Sequence, residues 1–192
     1  PRLIGAGIFD YVRAQLPDFR VETVDHGDGA ISLFAVRGNP ALLFNVHLDT
    51  VPASPDWSAD PLVLRATGDR AIGLGACDIK GAAACLIAAS RATRGDAAFL
   101  FSSDEEANDA RCIEAFLKKP HGFTNVIVAE PTNAEAVLAH RGISSVLLRF
   151  KGQAGHASGA AAMEASALHQ AMRWGVRALD FVESESHRRF GG

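Results

Sequence analysis

"AAFLFSSDEEAND", residues 97–109, opens with five apolar residues in a row and then delivers three acids together, Asp104, Glu105 and Glu106. A short continuous apolar run is the mark of a strand buried on both faces, the kind found in a sheet covered by helices on each side. Two further stretches end in the same manner. "ALLFNV", residues 41–46, runs into His47-Leu48-Asp49, and "NVIVA", residues 125–129, runs into Glu130. A fourth acid, Asp78, sits where the turn "GLGACD" leads into "IKGAAACLIAASRA", residues 79–92, a helix whose Gly and Ala residues allow it to lie close against a sheet.

The remaining patterns alternate in the same way. A short helix is expected over 8–16, closed by Pro17, and strands over 21–24, 31–36, 41–46, 97–101 and 126–129. A loop rich in Pro and Asp fills 50–70, a helix is expected over 107–118, two more strands over 136–138 and 144–150, and a long helix over 163–183. Strands alternating with helices predict an α/β fold, a mostly parallel sheet flanked by helices. Its first domain is expected over 1–141, and 142–192 begins a smaller α+β domain.

Composition narrows the partners. With 48% apolar residues, 7% aromatic and a formal charge of −3, nothing points to nucleic acid or an anionic membrane surface. No apolar run is long enough to span a bilayer and no signal-peptide pattern is present. Cys77, Cys85 and Cys112 lack C-x-x-C spacing and read as reduced thiols of a cytoplasmic protein.

In an open α/β sheet, ligands bind in the crevice beyond the carboxyl ends of the strands. Four segments bringing one imidazole and several carboxylates to that rim outline a metal site, because zinc and cobalt accept His nitrogen and carboxylate oxygen. His47 and Asp49, two apart on an extended segment, point the same way, so Asp49 can fix the imidazole tautomer. On an extended backbone Glu105 and Glu106 diverge, one free to hold metal and the other to act as a general base. Taken singly, each feature has an ordinary reading. H-x-D is more often a plain strand end, acids after a strand suit a helix N-terminus, Asp78 fits an N-cap, and Glu130-Pro131-Thr132 fits a turn. Gly73, Gly75 and Gly81 do not form G-x-G-x-x-G, and Lys80 is not placed as in a P-loop, which excludes nucleotide binding by either motif.

"HLDTVP", "GLGACDIKGA", "SSDEEA", "AEPT" and "GQAGHAS" occur in the order and approximate spacing of the aminoacylase and carboxypeptidase family of metallohydrolases, which the chain resembles over essentially its whole length. "CDIKGAAA", "FLFSSDEEAND" and "EAVLAHRGISSV" resemble most the acetylornithine deacetylase branch, and within it the enzymes acting on N-acetylcitrulline. The resemblance implies that His47 binds one metal, Asp78 bridges two, Glu106 ligates the other and Glu130 completes the first. It implies Glu105 as general base, Asp49 as the carboxylate behind His47, and His156 as a lid-domain histidine that reaches, often across a dimer interface, to the tetrahedral oxyanion. It also implies a cis peptide at Asp78-Ile79, one or two Zn2+ or Co2+ ions per subunit, and a homodimer through the lid domain.

The implied reaction removes the acetyl group from an N-acetyl amino acid of arginine biosynthesis, N-acetylcitrulline or N-acetylornithine, releasing acetate. A dipeptidase or aminoacylase of the same fold, or a metal-binding module without catalysis, is the alternative. Two departures stand out. Gly73-Leu74-Gly75 replaces the family's common Gly-Arg-Gly, and its last histidine ligand, far toward the C-terminus, has no counterpart. The chain begins at Pro1 and ends at Gly192 directly after a helical pattern, so it reads as a fragment, inactive or nearly so by itself.

Overall fold

The computed structural model describes residues 7–140, 145–156, 158–159 and 162–185. The chain divides into two compact units, Pro1–Ala134 and Glu135–Gly192.

The first unit is a mixed α/β sandwich. Strands β1 (Arg20–Asp25), β2 (Ile31–Arg37), β3 (Leu42–His47), β6 (Ala97–Ser102) and β7 (Asn125–Val128) form one sheet in the order β1-β2-β6-β3-β7. β3 runs parallel to β6 on one side and to β7 on the other. β1 and β2 pair antiparallel, as do β2 and β6. The sheet is therefore mixed, its parallel part confined to the three strands whose ends carry the acids. The reason lies in the connections: residues 26–30 between β1 and β2 are too few for a crossover and suffice for a hairpin.

Side-chain alternation on these strands fills two cores. Leu33, Ala35, Val46, Phe99 and Phe101 face Phe9, Val12 and Leu16 from helix α1 (Ile8–Ala14) and its exit, and Ala83 and Ile87 from helix α2 (Gly81–Ala92). Leu43, Ala98 and Leu100 face the opposite way, against Ile113 and Phe116 of helix α3 (Arg111–Leu117), with Phe34 and Phe123. Phe101 and Ala98 are wholly buried, as the unbroken apolar run of β6 requires. Small residues on α2 let it approach, and Gly81 is where this matters most. A Cβ there would stand 2.3 Å from the carbonyl oxygen of Ala76, so only glycine lets the chain pass from the Asp78 loop into the helix.

Several sequence expectations are corrected. The 50–70 region is not all loop: β4 (Arg65–Thr67) and β5 (Arg70–Ile72) pair as a hairpin across Gly68, whose φ is +60°. Short strands with one turn glycine carry too little apolar alternation to stand out. Helix α3 starts at Arg111 rather than 107, because Glu105–Asn108 forms a turn closed by the Asn108 N–H donating to the Glu105 carbonyl at 2.9 Å.

In the second unit, 136–138 and 145–150 are irregular rather than stranded, and Ser144 lies outside the described residues. Val137, Leu138, Val146 and Leu147 are exposed, with no ladder partner among the described residues to hold them as strands. The long helix divides into α4 (Ala162–Ala165) and α5 (Ala167–Ser184), with Ser166 as N-cap accepting the His169 N–H. Among the described residues no helix is long and apolar enough to cross a membrane, and Cys77, Cys85 and Cys112 form no disulfide.

Candidate metal centre

The rim begins with β3, because this strand lies between β6 and β7 in parallel register and all three end at the same edge of the sheet. His47, its last residue, pairs with Ser102 of β6. The acids that follow β6 and β7 consequently arrive on either side of one imidazole. His47 is almost fully buried, at 3% exposure, while Asp78, Glu105 and Glu130 are roughly half exposed around it.

Its Nε2 is the point of convergence. Asp78 Oδ1 lies 3.0 Å away, Glu130 Oε1 3.8 Å and Glu105 Oε2 4.0 Å. His47, Asp78 and Glu106 each offer one ligand atom within 4.8 Å of the others. One nitrogen and several carboxylate oxygens at such spacing suit a divalent cation of the zinc or cobalt type, so the residues present fit the group.

The other ring nitrogen is anchored by Asp49. The nearer acceptor to Nδ1 is the Asp49 backbone oxygen at 3.1 Å, and the carboxylate Oδ1 stands farther, at 3.5 Å. The carbonyl thus orients the ring, and the wholly buried carboxylate supplies charge behind it. Asp49 Oδ2 accepts the Glu106 backbone N–H at 3.0 Å, which ties the strand exit of β3 to the acidic turn after β6. That turn replaces the extended backbone expected at Glu105-Glu106.

Asp104, the first of the three acids, is structural. It is 1% exposed, and its Oδ2 accepts the Cys112 N–H of α3 at 2.8 Å. Asp78 occupies a sharp passage with extended φ and ψ, −116° and 96°, just before α2, and the Asp78-Ile79 peptide is cis, as the resemblance implies.

Electrostatics follow from crowding. Burial works against a charged His47, yet hydrogen bonding to Asp49 and the charges of Glu130, Asp49 and Glu105 outweigh it and lift the imidazole to about 9. Burial and then the neighbouring acids Glu105 and Asp78 raise Glu106. Burial raises Glu130 too, opposed by His47. A rim of this kind favours a cation. Lys80, weighed from the sequence only against a P-loop, is also sensitive to this rim: burial lowers its pKa, opposed by the charges of Asp49, Glu106 and Asp78. Its position two residues after Asp78 was the available signal.

His156 belongs to the second unit, where its Nδ1 lies 2.7 Å from Ser158 Oγ and accepts the Ser158 N–H at 3.3 Å.

A sequence profile of peptidase family M20/M25/M40 matches residues 43–187. Over its whole length the chain is 72% identical to N-acetyl-L-citrulline deacetylase of Xanthomonas campestris pv. campestris, and it covers 53% of that protein. It is 34% identical to acetylornithine deacetylase of Photorhabdus laumondii subsp. laumondii over 73% of this chain and 39% of that protein. Among solved structures, human carnosine dipeptidase 1 superposes with a TM-score of 0.55 at 24% identity, over 65% of this chain and 32% of that one, a likeness of fold. The chain spans about half the length, or less, of the curated relatives it matches.

Proposed function

The chain belongs to peptidase family M20/M25/M40, and from that premise we propose that its protein is a metal-dependent deacetylase releasing acetate from N-acetylcitrulline, with N-acetylornithine as the second substrate to test. The observation that carries the reading is the convergence of Asp78, Glu105 and Glu130 on His47 Nε2 at the ends of three parallel strands. The 72% identity to an N-acetyl-L-citrulline deacetylase supports the choice of acyl substrate and with it a place in arginine biosynthesis.

His47, Asp78, Glu106 and Glu130 would hold one or two Zn2+ or Co2+ ions, with Asp78 shared between them. A divalent cation there supplies Lewis acidity, polarising the amide carbonyl and making water a stronger acid. The protein's own residues do the rest. Glu105 is half exposed and lies 4.0 Å from His47 Nε2, at the edge of the rim. It takes the proton of the attacking water and returns it to the leaving amine, so that acetate and a free α-amino acid depart. Asp49 keeps His47 oriented through its carbonyl and carboxylate. His156 donates a hydrogen bond to the oxyanion of the tetrahedral intermediate. Residues 142–192 begin the lid and dimerisation domain, and the protein works as a cytoplasmic homodimer.

The test is acetate release by the intact protein on both substrates. Loss of release on chelation and its return with cobalt or zinc support the reading; chelator-insensitive hydrolysis contradicts it.

A further inference from the structure

Glu105 and Glu106 sit on a turn rather than on a strand or helix, and a turn keeps its side chains in place only where something outside holds it. The Asn108 N–H donates to the Glu105 carbonyl at 2.9 Å and the Asp109 N–H to the Asp104 carbonyl at 3.1 Å. Closing the turn puts Asn108 at a φ of +50°, in the left-handed region that residues with a side chain seldom adopt. On the rim side Asp49 holds the Glu106 N–H, and beneath the turn Asp104 holds the Cys112 N–H. The far side is gripped by Arg111, the first residue of α3. Its Nε donates to Asp109 Oδ2 at 2.8 Å, and its Nη2 lies 2.7 Å from the same oxygen. Its Nη1 turns the other way, donating to the Gly27 carbonyl at 3.2 Å and to Asp28 Oδ2 at 3.1 Å. Both acceptors belong to the loop 26–30 between β1 and β2, and that loop is fastened to the end of β6: Ser103 Oγ accepts the Ile31 N–H and donates to the Gly29 carbonyl, each at 2.8 Å. The guanidinium thus closes a ring that runs from β6 through the acidic turn to the hairpin and back to β6.

We propose that Arg111 is a positioning residue for Glu105: its planar fork joins the acidic turn to the β1-β2 hairpin and so fixes, from the far side of the turn, where the general base stands. This rests on the reading of Glu105 as that base. Glu106 has its own tether in Asp49, whereas Glu105 is fixed through the closure at Asn108, next to the residue that Arg111 grips. Arg111 is partly exposed and Asp28 largely so, and ion pairs this open to water add little to stability. The consequence of the fork is therefore geometric. A lysine would keep the charge, but its single ammonium cannot bond Asp109 and the hairpin in one plane.

The experiment measures acetate release from N-acetylcitrulline by the intact, cobalt-loaded protein carrying Arg111→Gln or Arg111→Lys, together with cobalt affinity by visible absorption and the melting temperature. Arg111→Gln should lower kcat by about 10–10²-fold, the effect that a small misplacement of a reacting group produces, with KM, cobalt affinity and melting temperature close to the parent's. Arg111→Lys should recover at most part of the loss, and it decides the matter if the glutamine variant fails to fold. A parent-level kcat in either variant, or a loss of kcat that falls together with cobalt affinity and melting temperature, overturns the proposal and leaves the deacetylase reading intact. A parent protein that binds cobalt and releases no acetate overturns that reading and this inference with it.

Discussion

The acids at and beside the rim carry different tasks, and only their surroundings separate them. Asp104 and Glu105 are adjacent, yet one is 1% exposed and caps α3 through the Cys112 N–H while the other is half exposed at the rim. Replacing Asp104 by Ala leaves a buried N–H without its partner and should cost about 1–3 kcal/mol in urea unfolding, with cobalt affinity nearly unchanged. Replacing Glu105 by Gln keeps size and leaves the other donors in place. It should retain metal and lower kcat by about 10²–10⁴-fold; a change within a fewfold would put the base elsewhere. The sequence showed that an acid cluster follows β6, because the apolar run before it is unmistakable. It did not separate the buried cap from the rim residues, since that depends on where α3 begins. Nor did it reveal that Asp49 orients His47 chiefly through its backbone oxygen, because residue identity says nothing of which atom of Asp49 faces the ring.

Elements place these residues, and the placement depends on β3, β6 and α2 being held in register. Leu100 of β6 is 2% exposed and packs in the core beneath α3. Leu100→Ala should destabilise by about 2–5 kcal/mol in chemical unfolding; a loss below 1 kcal/mol would mean this face is not a working core. On α2 the C-terminal carbonyls find a partner from β2. Arg37 donates to Ser90, Thr93 and Gly95 carbonyl oxygens at 3.0, 3.1 and 3.0 Å while its guanidinium lies 4.7 Å from the Phe19 ring centroid. Strand β6 was readable because burial on both faces leaves a continuous apolar run, whereas β7 carries a similar run though it is exposed in this structure. The β4-β5 hairpin was not readable, since three-residue strands hold no period. The strands expected at 136–138 and 144–150 are not formed over the described residues for a further reason: an apolar, β-branched stretch becomes a strand only where a neighbour completes its ladder.

For the molecule as a whole, a metal held at the rim would contribute to stability as well as to chemistry. A ligand that binds only the folded state stabilises by about 2.7 kcal/mol when free ligand is a hundred times its Kd. Added cobalt should therefore raise the melting temperature in a concentration-dependent way, and a chelator should reverse it. The α/β class, the rim and the family's motifs were all present in the sequence, because each is written in short local patterns. The mixed strand order was not, since it is decided by which connections are short. The measurement that bears most directly on the central claim is acetate release by the intact, cobalt-loaded protein from N-acetylcitrulline and N-acetylornithine side by side, with and without chelator. Chelator-sensitive release, faster from N-acetylcitrulline, is the predicted result; cobalt bound at the rim with no acetate released from either compound would contradict it.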